Sequence, residues 1–304
     1  MDNNKASTTA IMCAFSRAYH SMYDSPKIFD DFLAHHMLTE EEFCGISKHM
    51  ANGINFFNPE QAHLYPDQES ALKWVIQSQI APTTLARSKY TEDMLENAIR
   101  LGVEQYVILG SGLDTFAFRK PELLNHIKVF EIDHPSTQAL KLERIKNLGW
   151  NISPNLNFIP VDFSKDSFEK ALLKSSYSQH KRSFFSWLGV TYYLTKDEIL
   201  NVLKTIVNIS PKGSSIVFDY PNTNIFNPLN TTNRVRNMVE LARSSGEPMK
   251  TGFEYSELES ELEKIGLLIY EHLTPEDIQD RYFKERTDYY SAFEDINYAL
   301  AVVQ

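Results

Sequence analysis

Cysteine is scarce in this 304-residue chain: Cys13 and Cys44 are the only two. Two cysteines make no disulfide framework, and they read as reduced thiols of a reducing compartment rather than as a bridge. Basic blocks are lacking too. Thirty Lys and Arg stand against 40 Asp and Glu, a formal net charge of −10, and no Lys/Arg run exceeds two residues. A nucleic-acid partner asks for a basic footprint to neutralise phosphates, and an anionic membrane surface asks for the same, so neither is expected. The first twenty residues, MDNNKASTTAIMCAFSRAYH, contain no apolar stretch of the about 7–15 residues that a secretory signal needs. Nowhere do about 18 uninterrupted apolar residues occur, so no membrane span is expected. Internal repeats and low-complexity tracts are also missing. What remains is the composition of a soluble cytoplasmic enzyme, 42% hydrophobic and 23% charged, long enough for one large domain with a cap.

Two textures alternate along the chain. Short apolar runs read as strands buried on both faces: Tyr106–Gly110, Lys128–Asp133, Leu156–Asp162, Ser183–Val190, Ser214–Tyr220, Leu267–Leu273 and Tyr298–Gln304. Between them lie helices with legible ends. Leu95, Ala98 and Ile99 share a face before the stop signal Gly102. Thr195 and Glu198 form a capping-box pattern ahead of Ile199, Val202, Leu203 and Ile206. Ser256 and Glu259 repeat the box before Leu258, Leu262 and Ile265, with Gly266 closing, and Thr274-Pro275 starts another helix. This alternation predicts a doubly wound α/β domain over residues 91–304. Residues 1–90 lack the rhythm and read as a helical cap. An Asn-rich stretch, about 221–252, reads as an insertion, either a lid with a helix over Thr232–Ser244 or a surface excursion.

The chemistry concentrates in Val107-Ile108-Leu109-Gly110-Ser111-Gly112-Leu113-Asp114-Thr115, a strand running into Gly-x-Gly and then a helix. Gly110 and Gly112 allow a tight turn and a ligand approach unobstructed by a Cβ. Asp133, 21 residues after Gly112 at the end of the next strand, can accept hydrogen bonds from both hydroxyls of an adenosine ribose. A dinucleotide site wants a third glycine where Thr115 stands, and the Asp114 carboxylate would repel a pyrophosphate. S-adenosylmethionine carries no phosphate, and its cationic groups suit a neighbouring acid. Asp114 serves either as that neighbour or as a cap on the turn.

LGSGLDTFAFR (Leu109–Arg119) followed by FEIDHPSTQALK (Phe130–Lys141) resembles the leucine carboxyl methyltransferase superfamily, especially its bacterial branch of S-adenosylmethionine-dependent O-methyltransferases. The likeness continues in ARSKYTEDML, PVDF, WLGVTYYLT and GEPMKTGFEYSEL, and near the start in SRA and FDDFLA, so it covers nearly the whole chain. It implies a Rossmann-like class I methyltransferase fold with a seven-stranded, mostly parallel sheet, helices on both faces and one antiparallel strand near the C-terminus. It also implies S-adenosylmethionine as cofactor and S-adenosylhomocysteine as product. Arg87 falls where the family clamps the cofactor's carboxylate, which a guanidinium does bidentately. Gly110, Ser111 and Gly112 would line the cofactor, Asp133 would hold the ribose, and Asp162 and Phe163 match positions that contact adenine. Where many relatives carry Glu, this chain has Leu188 in Leu-Gly-Val, so no role resting on that Glu transfers.

Several readings stay open. Read by itself, Arg87 is a solvated arginine before a helix, and Asp162 a strand-end turn residue. His134 either touches the cofactor, acts as a base or is a surface histidine. Tyr192 and Tyr193 are candidates for steadying a sulfonium or orienting an acceptor, against one being packed and the other exposed. Cys13 and Cys44 show no activating partner. His35-His36 with Glu40–Glu42 is not read as a metal site, because adjacent histidines usually point apart. The expected function is O-methyl transfer to a small molecule, or alternatively to a protein carboxylate. The rivals are an NAD(P)-dependent oxidoreductase and a regulatory protein that binds the cofactor without turnover. Acceptor identity and oligomeric state are not legible.

Overall fold

The computed structural model describes residues 6–163, 165–227, 229, 231–244 and 246–304. Seven strands form one sheet: β1 (Gln105–Leu109), β2 (Lys128–Asp133), β3 (Leu156–Pro160), β4 (Ser183–Trp187), β5 (Ser215–Pro221), β6 (Leu267–Leu273) and β7 (Ile296–Val303). Their order is β3-β2-β1-β4-β5-β7-β6. β7 runs antiparallel to both neighbours, and the remaining pairs are parallel. β3 and β4 end earlier than the apolar pattern suggests. Past β4 the chain turns through Gly189, whose φ of +70° lies outside strand geometry.

The central strands β1, β4 and β5 are buried throughout because both faces are covered. Val107 and Leu109 join a core with Ile199, Leu203, Leu258 and Leu262. Tyr106 and Ile108 face the opposite way into a core with Ala14, Phe15, Leu85 and Leu95. That second core belongs largely to the cap, whose principal helices are α1 (Thr8–Tyr23), α2 (Glu40–Asn52) and α3 (Ala81–Arg100). The boundary at 90/91 thus falls within α3, one helix packed on both cap and sheet. α4 (Pro135–Asn147) follows β2, α5 (Lys196–Ile209) follows β4, and α6 (Asn233–Ser244) lies in the Asn-rich insertion.

The helix-start signals fare unequally. Thr195 caps α5 with the full reciprocal box, and Thr274 caps the short helix Pro275–Ile278. The box at Ser256 does not form. Helix α7 (Tyr255–Ile265) starts with Glu254 in the cap position, and the Tyr255 hydroxyl donates to Glu259 at 2.6 Å. Ser256 lies one residue inside the helix, where its hydroxyl cannot cap.

The strand order reverses direction between β1 and β4, and doubly wound sheets bind ligands at the carboxyl ends of the strands flanking such a switch. The turns after β1, β2 and β4 therefore open into one crevice.

Candidate active site

That crevice is a cavity of about 890 Å³. Its wall includes Arg87, Gly110, Ser111, Gly112, Asp133, His134, Asp162, Phe163, Leu188 and Tyr193, residues singled out from five separated stretches of sequence. Its floor is the turn after β1. Gly110 and Gly112 have φ values of +75° and +51°, and the Gly110 and Ser111 amides both donate to the Ile132 carbonyl, at 2.9 and 3.2 Å. A Cβ on Gly110 would sit 3.1 Å from Val190 Cγ2, and one on Gly112 3.0 Å from Ala10 Cβ.

Asp133 leans over this turn. One carboxylate oxygen accepts the Gly112 amide at 2.5 Å and the other the His134 amide at 2.6 Å. Burial raises its pKa, while the two amides act in the opposite direction. His134 caps α4: its Nδ1 accepts the Ser136 amide at 3.3 Å, which leaves Nε2 toward Asp162, 3.8 Å away. Asp162 also accepts from Lys165 at 2.7 Å, and the Phe163 ring beside it is 45% exposed.

The glycine turn is held from behind. Arg17 on α1 donates to the Leu113 carbonyl and to Asp31, both at 2.8 Å, and the Thr115 hydroxyl donates to Asp31 at 2.6 Å. Thr115 in the third glycine position is thus engaged in a buried polar network. Asp114 caps the turn, its carboxylate accepting the Phe116 amide at 2.7 Å. The helix that follows is only Phe116–Arg119. A single turn already capped by a carboxylate offers no cradle for a pyrophosphate, which weighs against an NAD(P) site.

Arg87 lies inside α3 rather than before a helix. It threads between Gly189 and Cys13: Nη1 donates to Asp219 at 2.8 Å and Nη2 approaches Cys13 Sγ at 3.6 Å. Burial opposes its charge, but the groups around it, Asp219 foremost, together hold the guanidinium firmly protonated. Cys13 therefore has a cationic neighbour that the sequence did not disclose. Both cysteines are free thiols.

The two tyrosines separate. Tyr192 is 4% exposed and absent from the cavity wall, and its hydroxyl donates to Asp219. It is packed because the turn after β4 directs it back onto β5. Tyr193 lines the cavity, and burial pushes its hydroxyl up to about 12. Asp219 is the main residue that sequence reasoning missed. Its signal was a lone carboxylate in the apolar strand SIVFDYP, a buried charge that requires partners. The 221–252 insertion also reaches the site through Gly246, Glu247, Pro248 and Lys250.

The His35 and His36 rings do not point apart. A tight turn over Ala34–Met37 brings their centroids to 3.6 Å, yet no group of three metal-ligating side chains exists among the described residues. No helix among them is long and apolar enough to cross a membrane.

The family model of leucine carboxyl methyltransferases matches residues 10–207, which include the glycine turn, Asp133 and Asp162. The chain belongs to the leucine carboxyl methyltransferase family. It is 50% identical over 303 residues, 99% of each chain, to a Bacillus subtilis protein named "Putative S-adenosyl-L-methionine-dependent methyltransferase YktD". Two crystal structures share the fold over nearly the full length. A DUF574 family protein of Streptomyces avermitilis superposes with a TM-score of 0.59 at 10% identity, covering 99% of this chain and 98% of that one. A Thermobifida fusca protein, "a putative methyltransferase", does so with 0.58 at 14% identity, covering 100% and 96%. As a member of the leucine carboxyl methyltransferase family, this chain is an S-adenosylmethionine-dependent methyltransferase.

Proposed function

We propose that this methyltransferase methylates an oxygen of a small-molecule acceptor rather than a protein carboxylate. The residues present fit the cofactor: a floor without side chains at Gly110 and Gly112, an acid beside it, and a guanidinium on the wall. In this reading Asp133 receives the ribose hydroxyls on the lone pairs left by its two amide bonds. Asp162 and Phe163 offer a carboxylate and an apolar face to adenine, with His134 alongside, and Arg87 faces the cofactor's carboxylate. Gly110 and Ser111 pass beneath, and Leu188 contributes an apolar contact. The bound cofactor supplies a methyl group already activated by its sulfonium.

What the chain supplies is mainly placement, since orienting an acceptor oxygen accounts for much of the rate of such a displacement. Tyr193 stays protonated at neutral pH, so it orients by donating rather than acting as a base. The family's name supports oxygen as the acceptor atom, because a carboxyl is methylated on oxygen. One observation carries the small-molecule reading. Thr9 of α1 donates to Glu247 of the insertion at 3.2 Å, joining cap and insertion across the cavity wall near Cys13 and Tyr193.

The test is incubation with methyl-labelled S-adenosylmethionine and an extract of the source cells, followed by ultrafiltration. Label in an ester or ether in the filtrate is expected. Label retained on protein, or a methyl on nitrogen or carbon, contradicts the proposal. Cofactor binding without any labelled product favours the regulatory rival.

A further inference from the structure

Burying a carboxylate in the middle of a sheet is costly unless its partners compensate. Every residue of β5 is buried, and Asp219 within it is 0% exposed. Packing alone gives no reason for an acid there. Its partners do. Oδ2 accepts Arg87 Nη1 at 2.8 Å and the Tyr192 hydroxyl, Oδ1 accepts the Gly189 amide at 2.7 Å, and its own carbonyl accepts the Thr191 hydroxyl at 2.5 Å. One side chain thereby ties α3, the turn after β4 and β5 together.

Arg87 and Gly189 line the cavity, and Asp219 does not. We propose that Asp219 is the positioning residue of the cofactor site, fixing the Arg87 guanidinium and the Gly189 backbone as one preset wall. Arg87 has a long side chain with costly rotamer freedom, and an untethered guanidinium loses that entropy when a ligand binds. The tether removes the loss beforehand. Its geometry is specific: a Cβ on Gly189 would fall 2.6 Å from both Nη atoms, so the guanidinium occupies space that only a glycine leaves open. Asp219 is the acid paired with Arg87 among the described residues.

The inference rests on the reading that Arg87 faces the cofactor, and a double-mutant cycle separates the two. Asp219→Asn, Arg87→Met and the double variant are titrated with S-adenosylhomocysteine in a calorimeter, and kinetics are run against S-adenosylmethionine. Each single substitution is expected to weaken binding about tenfold and to raise the cofactor KM alike, with kcat at saturation held within about threefold. The double variant should lose clearly less than the two single losses combined, because Asp219 acts largely through Arg87 and otherwise only through Gly189. Additive losses, or Asp219→Asn binding that matches wild type, overturn the inference alone. Wild-type protein that binds no S-adenosylhomocysteine overturns the cofactor reading and this inference with it. If Asp219→Asn does not fold, Tyr192→Phe carries the test, since it removes one donor and keeps the charge. A cofactor KM raised several-fold at constant kcat supports the tether, and an unchanged KM overturns it.

Discussion

The Gly112 amide donates to the Asp133 carboxylate at 2.5 Å, so the floor of the cavity and the acid above it form one rigid unit. Asp133→Ala should cost about 2–3 kcal/mol of stability through two lost amide bonds to a charged acceptor. It should weaken S-adenosylhomocysteine binding about 100-fold, measured by calorimetry. Burial raises this carboxyl, and the ionised form is the one that accepts hydroxyls. Affinity should therefore fall on acidification from neutral pH, beginning above the ordinary carboxylate range. An affinity that holds until that range is reached contradicts the assignment.

Gly112→Ala is the sharpest test of how α1 lies on the turn. The residue has a φ of +51°, and a Cβ there would sit 3.0 Å from Ala10 Cβ. The left-handed conformation alone costs a non-glycine residue about 1–2 kcal/mol. A thermal midpoint lowered accordingly, together with weakened S-adenosylhomocysteine binding, is expected. Wild-type behaviour in both would show that α1 does not press on the turn.

Tyr193 and Tyr192 should separate in kinetics. Tyr193→Phe is expected to alter the acceptor KM while leaving S-adenosylhomocysteine affinity within about twofold, since Tyr193 lines the cavity but is not among the residues assigned to the cofactor. With its hydroxyl held near 12, its ionisation should not mark the kcat profile between neutral pH and about 10. A kcat step in that interval that vanishes in Tyr193→Phe would make Tyr193 a base.

Away from the site, Lys141 and Glu131 form an ion pair in which both side chains are fully buried. Burial pushes Glu131 up to about 7, with Lys141 acting to lower it. An acid raised in the folded state keeps a proton that the unfolded chain has released. Its contribution to stability therefore declines as pH rises from its ordinary 4.5 to about 7, then levels off. Lys141→Met should extend the decline beyond 7. Glu131→Gln, which strands a buried ammonium, should cost about 3–5 kcal/mol. Urea unfolding across this pH range measures both, and a Lys141→Met profile parallel to wild type contradicts the pairing.

Legibility from sequence followed the physics of each feature. Short runs rich in apolar residues and closed by turn or cap signals let β2 and β6 be bounded to the residue. The turn at Gly110–Gly112 and the acid at Asp133 were legible because they are local patterns at a fixed spacing. Thr195 read correctly as a cap because nothing competed for Glu198, whereas Glu259 is taken by Tyr255 and the expected box at Ser256 failed. The partners of Asp219, the Arg17–Asp31–Thr115 network and the approach of Ala10 to Gly112 were invisible, since each joins residues that only the tertiary fold brings together. The Asn-rich insertion announced a departure from the sheet, but its contact with α1 through Glu247 is likewise a product of the fold.

The central claim is a cofactor site built for a nucleoside without phosphate. Calorimetric titration of the purified chain with S-adenosylhomocysteine, and separately with NAD, tests it most directly. One S-adenosylhomocysteine per chain, bound about 100-fold more weakly in Asp133→Ala, and no heat from NAD is the predicted result. Saturable binding of NAD, or S-adenosylhomocysteine binding untouched by Asp133→Ala, would contradict it.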